Sequence, residues 1–202
     1  MDWDGDDGWQ FLDEVELQEF TVLLNTVQDR YQFQAENLRV AWQPLSFYDG
    51  YALLRIVDYS WQPAPFTFWY LGFQGELTRM EGHVESVHQA NRLANLNLNP
   101  VTVLDYLKFF CFFVRADGLP FLIVESVEDL GRFDMADIAQ SPLASSLIHD
   151  VRTLQHRPDN SYIMQAIVLY DRGLFDATFE IAPTGHIRML EDTPLNFQPP
   201  AV

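Results

Sequence analysis

The sequence predicts an α+β fold, in which roughly three to five helices pack on a largely antiparallel sheet of about seven or eight strands. In the run 162–192, two turn signals, DRG and PTG, separate three alternating stretches, as is typical of a three-stranded C-terminal meander. A helix predicted at about 100–115 is apolar on nearly every side and is therefore expected to be buried. Hairpins, rather than strand–helix–strand units, connect the remaining strands.

The first third of the chain predicts one helix and three strands. An apolar stripe follows the spacing of a helix over residues 15–32: Phe20, Leu23, Leu24, Val27 and Tyr31. Segments 38–42 and 51–60 are strand-like, with FYDG as the turn between them. WQPAP (61–65) interrupts the chain, and 66–73 is apolar on both faces, which indicates a strand covered on both sides.

The middle of the chain predicts two helices. Residues 83–97 form a moderately amphipathic segment. The buried helix at 100–115 follows a clear start signal, because Asn99 suits the N-cap and Pro100 suits the first helical position.

The segment before the meander predicts short elements. We expect a turn over 116–120, a strand over 121–126, short helices from Asp134 and from Ser141, and a strand over 151–155. In the meander itself, we expect the two glycines of the turn signals to adopt positive φ. Alternate residues should face the core and solvent.

Neither a repeat nor a long linker divides the chain, so we predict a single domain over residues 15–195 with an irregular tail at 196–202. An acidic and aromatic arm, residues 1–14, precedes the domain. Such an arm either folds onto a partner or packs its tryptophans back on the domain. We favour packing for Trp3 and Trp9, because exposed tryptophans are costly.

Net charge limits the classes of partner. The chain has 12 Lys and Arg residues against 29 Asp and Glu residues, a net charge of −17. Phosphate backbones and anionic membrane surfaces require a basic face, so we predict that the protein binds neither nucleic acid nor membrane. The charge is compatible with a basic protein partner, with mimicry of a nucleic acid, or with solubility alone.

The N-terminus is acidic and lacks the basic start and apolar core of a secretory signal. No apolar run is long enough to span a bilayer, and we expect a cytoplasmic protein. Cys111 is the only cysteine, which excludes an intrachain disulfide, and its apolar setting predicts a buried, inert thiol.

No catalytic or cofactor motif is present. Glycine-rich phosphate loops are missing, so we predict no cofactor. Glu85 and His88 share a helical face, but a metal site requires further ligands that the sequence does not bring together, and we predict none. Ser146, His149 and Asp150 are explained better by a polar helix turn than by a triad, whose members usually come from distant segments. We therefore expect a non-catalytic protein.

Charged residues within apolar segments are the candidates for a pocket or for buried ion pairs: Arg55, Asp58, Asp105, Lys108 and Glu125. Charges in such positions need partners. We expect Asp105 to pair with Lys108 or Arg115, and Arg55 to pair with Glu125 or Asp58.

The hypothesis we favour is an accessory protein that binds another protein through its arm or an aromatic surface, with these contact candidates: Trp3, Trp9, Phe11 and Trp69. The alternative is a small-molecule-binding domain or enzyme with an aromatic-lined pocket that holds the embedded charges. A lesser alternative is an acidic mimic of a nucleic acid. We also predict a homodimer, because sheets with exposed aromatic edges often pair with a second copy.

Overall fold

The computed structural model describes residue 6 and residues 8–27, 31–116, 118–133 and 135–197. The chain divides into two compact units, Met1–Asn97 and Leu98–Val202. The α+β class is confirmed, since the described residues form antiparallel sheets together with helices. No helix within the described ranges is both long enough and apolar enough to cross a membrane.

The first unit is built on a five-stranded antiparallel sheet whose strands follow one another in chain order. Its strands are β1 (Gln10–Phe11), β2 (Leu38–Pro44), β3 (Ala52–Asp58), β4 (Phe66–Phe73) and β5 (Glu76–Arg79). Its helices are α1 (Glu14–Val27), a single 3-10 turn (Ala35–Asn37) and α2 (Val84–Leu93). The predicted strands at 38–42, 51–60 and 66–73 are confirmed.

One face of this sheet and helix α1 enclose a hydrophobic core. Across β2, β3 and β4, Val40 lies opposite Ile56, which lies opposite Phe68, and all three side chains are buried. Leu24 of α1 is fully buried in the same cluster. Burial of these side chains supplies the main stabilisation of the unit.

Helix α1 ends at Val27, before the predicted end at residue 32, and Tyr31 and Phe33 lie in a segment without regular secondary structure. The Asn25 side chain holds this segment by accepting the Phe33 N–H at 2.8 Å and donating to the Phe33 carbonyl at 3.0 Å. Tyr31 therefore reaches the core from outside the helix, and its fit to helical spacing is coincidental.

The hairpin between β4 and β5 is a feature that the sequence analysis missed. Gln74 and Gly75 have φ values of 47° and 85° and form a two-residue turn between Phe73 and Glu76. Glutamine is not among the residues that commonly begin such turns, which is why the signal was weak.

The second unit contains a sheet in which β11 (Gly173–Ile181) lies between β12 (Ile187–Pro194) and β10 (Tyr162–Tyr170). Strands β8 (Leu122–Ile123) and β9 (Arg152–His156) both pair with the other side of β10. Its helices are α3 (Thr102–Phe113), α4 (Val127–Arg132), α5 (Ala136–Ala139) and α6 (Ala144–Leu147). Its strands are β6 (Arg115–Ala116), β7 (Leu119–Pro120), β8 (Leu122–Ile123), β9 (Arg152–His156), β10 (Tyr162–Tyr170), β11 (Gly173–Ile181) and β12 (Ile187–Pro194). Strands β6 and β7 form a separate hairpin.

The C-terminal meander β10–β12 is confirmed. The expected alternation of core and surface residues is seen in β11, whereas β10 is buried on both faces and β12 is largely exposed. Ala177, Phe179 and Ile181 of β11 are buried on one side. On the other side, Leu174 belongs to a core cluster that α4, α5 and α6 cover.

The first meander turn differs from its prediction. Positive φ falls on Asp171 (45°) and Arg172 (63°), whereas Gly173 pairs with Tyr170 inside the ladder. Glycine fits this position because a Cβ there would lie 2.8 Å from the Phe175 ring, which would have to shift. Gly185, with φ of 76°, does adopt the predicted conformation in the second turn.

Helix α3 is buried as predicted, and none of its residues is exposed. Asn99 caps its first turn by accepting the Val101 N–H at 2.9 Å and the Thr102 N–H at 3.2 Å. The Thr102 hydroxyl oxygen accepts the Asn99 N–H at 3.0 Å in return. This reciprocal arrangement is a capping box.

The described residues contain twelve strands in three sheets and six α-helices, more than predicted. The additional strands are mostly two-residue pairings, which leave no periodic pattern in a sequence. The predicted helix start at Asp134 lies outside the described residues, and α4 and α5 lie on either side of it.

Candidate functional site

The connection between β3 and β4, together with the start of β4, carries an exposed aromatic surface in the first unit. Residues 59–67 are all exposed. They include Tyr59, Trp61 and Phe66, which are 50%, 40% and 46% exposed and which we call the aromatic patch. From the sequence, WQPAP predicts only an interruption of the chain. The segment also places Trp61 close to Pro63 and Pro65, and a proline cannot donate to a sheet ladder.

The aromatic patch rests on rings that belong to the core. The Trp61 ring centroid lies 5.3 Å from that of Phe66 and 5.6 Å from that of Tyr31. Phe66 in turn lies 4.7 Å from Phe68, which is 5% exposed. Trp61 and Phe66 are thus the outer layer of a stack of rings that continues into the interior.

Asp58 at the end of β3 holds the base of the patch. Its side chain is almost fully buried, with 1% of the residue exposed. It accepts hydrogen bonds from the Tyr31 hydroxyl at 2.6 Å and from the Ser60 N–H at 2.8 Å. A predicted pocket residue therefore orders the loop that carries the patch.

These hydrogen bonds shift the pKa values of both Asp58 and Tyr31. Burial raises the pKa of Asp58, but the hydrogen bonds from Tyr31, Ser60 and Trp61 outweigh it, and the net pKa lies below its ordinary value. The hydrogen bond to Asp58 is the main reason that the pKa of the Tyr31 hydroxyl is raised. The pair is therefore an ionised carboxylate and a neutral phenol at neutral pH.

The other face of the same sheet holds the N-terminal segment. Arg55, which is 8% exposed, forms an ion pair with Asp6 and lies 4.8 Å from the centroid of the Trp9 ring. Arg39 reaches Asp6 at 3.0 Å. The hydrogen bonds from Arg55, followed by those from Arg39, lower the pKa of the Asp6 carboxyl.

The predicted contact residues have different surroundings. Trp9 is 7% exposed and lies 5.9 Å from Trp69, so these two rings pack on each other. Phe11 is 41% exposed in the edge strand β1, with the Arg39 guanidinium 4.3 Å from its ring centroid. Trp3 lies outside the described residues. The described part of the arm is thus packed on its own sheet.

In the second unit, the Lys108 ammonium lies 2.6 Å from the Glu125 carboxylate, across elements. Asp105 is half-buried on the same helix as Lys108. The thiol of Cys111 is buried, and burial raises its pKa to about 12, which makes it a poor nucleophile.

Ser146, His149 and Asp150 do not assemble into a catalytic triad. His149 places Nδ1 2.8 Å from the Asp150 backbone carbonyl and Nε2 4.0 Å from the Asp176 carboxylate. The Ser146 hydroxyl donates to the Leu143 carbonyl at 2.8 Å. Within the described residues, no three His, Cys, Asp or Glu side chains lie close enough together to hold a metal ion.

Comparison with known protein families, with curated proteins and with solved structures finds no match.

Proposed function

We propose that this chain is a non-catalytic interaction protein that binds a basic protein partner through the aromatic patch. The observation that carries the proposal is the exposure of Tyr59, Trp61 and Phe66 within nine consecutive exposed residues. Large contiguous apolar patches are rare on proteins without partners. Tryptophan and tyrosine are also the side chains most enriched at the energetic centres of interfaces.

The anchored base of the patch supports recognition of a protein rather than a small molecule. A stretch in which every residue is exposed does not enclose a ligand, whereas it offers several rings at once to a partner surface. Asp58 and Tyr31 fix that stretch from below. Rigid aromatic contacts cost little ordering on binding.

The negative charge of the chain supports a partner with a basic surface. The whole chain carries a net charge of −17. Helix α1, which packs on the same core as Tyr31, contains Glu14, Glu16 and Glu19 and no basic residue. Aromatic faces attract Arg and Lys side chains, and an acidic surface steers a basic partner.

The test is affinity capture from source-cell lysate with the full chain and with a W61A/F66A double variant. The matched control is L93A, which removes an apolar side chain that is 60% exposed at the end of α2. We expect the wild type and L93A to retain a partner with a basic surface, and the double variant to lose it. The purified partner should then bind directly, with an affinity that falls by at least tenfold in the double variant and falls again as salt is raised.

The proposal fails if the captured proteins are the same for the wild type and the double variant. It fails equally if the purified complex is insensitive to salt.

A further inference from the structure

The second unit contains a cleft of about 230 Å³ on one face of the meander. Its walls come from β10, β11, β12 and the residue preceding β8: Phe121, Val168, Tyr170, Phe175, Ala177, Met189 and Asp192. The Phe121 and Tyr170 rings stack at 4.7 Å with an interplanar angle of 15°. Val168 and Ala177, both buried, form the floor. The cleft is thus an aromatic-walled space with a small-residue base.

A β-bulge brings two side chains of β12 to the cleft together. Phe179 lies opposite Met189, and Ala177 lies opposite Asp192. The two residues of β11 are two apart and share a face, whereas their partners on β12 are three apart and would face opposite sides of a regular strand. The register shift between Thr178 and Phe179 corrects this difference. Bulges commonly re-aim side chains in this way at functional sites.

The polar groups of the cleft are acceptors. Within the described part of the chain, no cation or hydrogen-bond donor pairs with the Asp192 side chain. The Tyr170 hydroxyl donates to the Ala116 carbonyl at 3.4 Å. A carboxylate beside aromatic rings is complementary to a positively charged group.

We propose that this cleft binds a small organic cation, with an apolar or aromatic body against the aromatic walls and an ammonium group at Asp192. Anions are repelled by the Asp192 carboxylate, whereas a cation gains a charge-assisted hydrogen bond that a purely apolar ligand cannot make. Because a dry cavity of roughly 150 Å³ can hold benzene, the space suits one ring with a short alkyl chain.

The experiment titrates the full chain with phenethylamine by calorimetry and by ligand-observed NMR, with 2-phenylethanol as the neutral isostere. Nα-acetyl-lysine methylamide tests the other source of the same chemistry, a lysine side chain. D192N removes the charge at the cleft. E191Q is the matched control, because Glu191 pairs with Thr178 and faces the other side of the sheet.

We expect the amine to bind more tightly than the alcohol and D192N to weaken amine binding about threefold to tenfold, since Asp192 is exposed. Binding by E191Q should be unchanged. Tighter binding of the lysine derivative than of phenethylamine would overturn the small-molecule assignment. Equal affinities for amine and alcohol, an unweakened D192N, or no binding at about 10 mM ligand would overturn the site. The W61A/F66A variant should still bind the amine, so the cleft proposal can fail or succeed independently of the protein-binding proposal.

Discussion

At the scale of single residues, Asp58 joins the stability of the first unit to the shape of its surface. Its carboxylate is buried and accepts hydrogen bonds from Tyr31 and Ser60. A buried acceptor of this kind leaves several donors unsatisfied when it is removed. The sequence analysis chose Asp58 as an embedded charge, but its role in ordering a loop could only be learned from the structure.

We predict that D58A lowers the free energy of unfolding by about 2–3 kcal/mol, measured by urea denaturation at pH 7. Because the pKa of Asp58 is lowered in the folded state, the stabilisation is present above the ordinary value of 3.8 and is lost as pH falls through the folded pKa. The difference between wild type and D58A should therefore shrink below about pH 4. A difference that stays constant from pH 7 to pH 3 would contradict this account.

At the scale of elements, the N-terminal segment behaves as part of the sheet. Trp9 is nearly buried between Arg55 and Trp69, whereas Phe11, two residues later in the chain, is largely exposed. The arm therefore contributes to folding through Trp9 and far less through Phe11.

We predict that W9A destabilises the protein by about 3 kcal/mol, as expected for truncation of a buried tryptophan. F11A, the matched control, should cost less than about 1 kcal/mol. Chemical denaturation followed by circular dichroism checks both. Equal losses in the two variants would show that the burial of Trp9 does not stabilise the fold.

How far each element could be predicted depended on whether its cause was local. The meander was predictable because its alternation and turn residues lie side by side in the sequence. The Asn99 cap was likewise a local signal, and the structure contains it. The end of α1 was not, because Asn25 binds Phe33 across eight residues.

The candidate site was the least predictable part. Trp61 and Phe66 are apolar, and sequence alone does not distinguish an apolar side chain in the core from one on the surface. The cleft in the second unit depends on a register shift in β12 that leaves no periodic signal. The aromatic patch and the cleft could therefore be located only once the structure was known.

At the scale of the whole molecule, the prediction of a single domain and of a homodimer remains open to direct measurement. The chain divides into two compact units. For the single domain, we expect differential scanning calorimetry to show one unfolding transition. Two separated transitions would contradict the single domain.

For the homodimer, we expect sedimentation equilibrium to give twice the monomer mass of 23.4 kDa. A mass of one monomer at high concentration would contradict the dimer.

The anchoring of the aromatic patch also has a consequence for the thermodynamics of complex formation. Asp58 restricts the loop before any partner arrives, so little conformational entropy is left to lose on association. A variant that frees the loop, such as D58A, should bind the same partner with a more unfavourable entropy, even though every ring of the patch is retained. The hydrogen bonds at the end of β3 would then set part of the affinity without touching the partner.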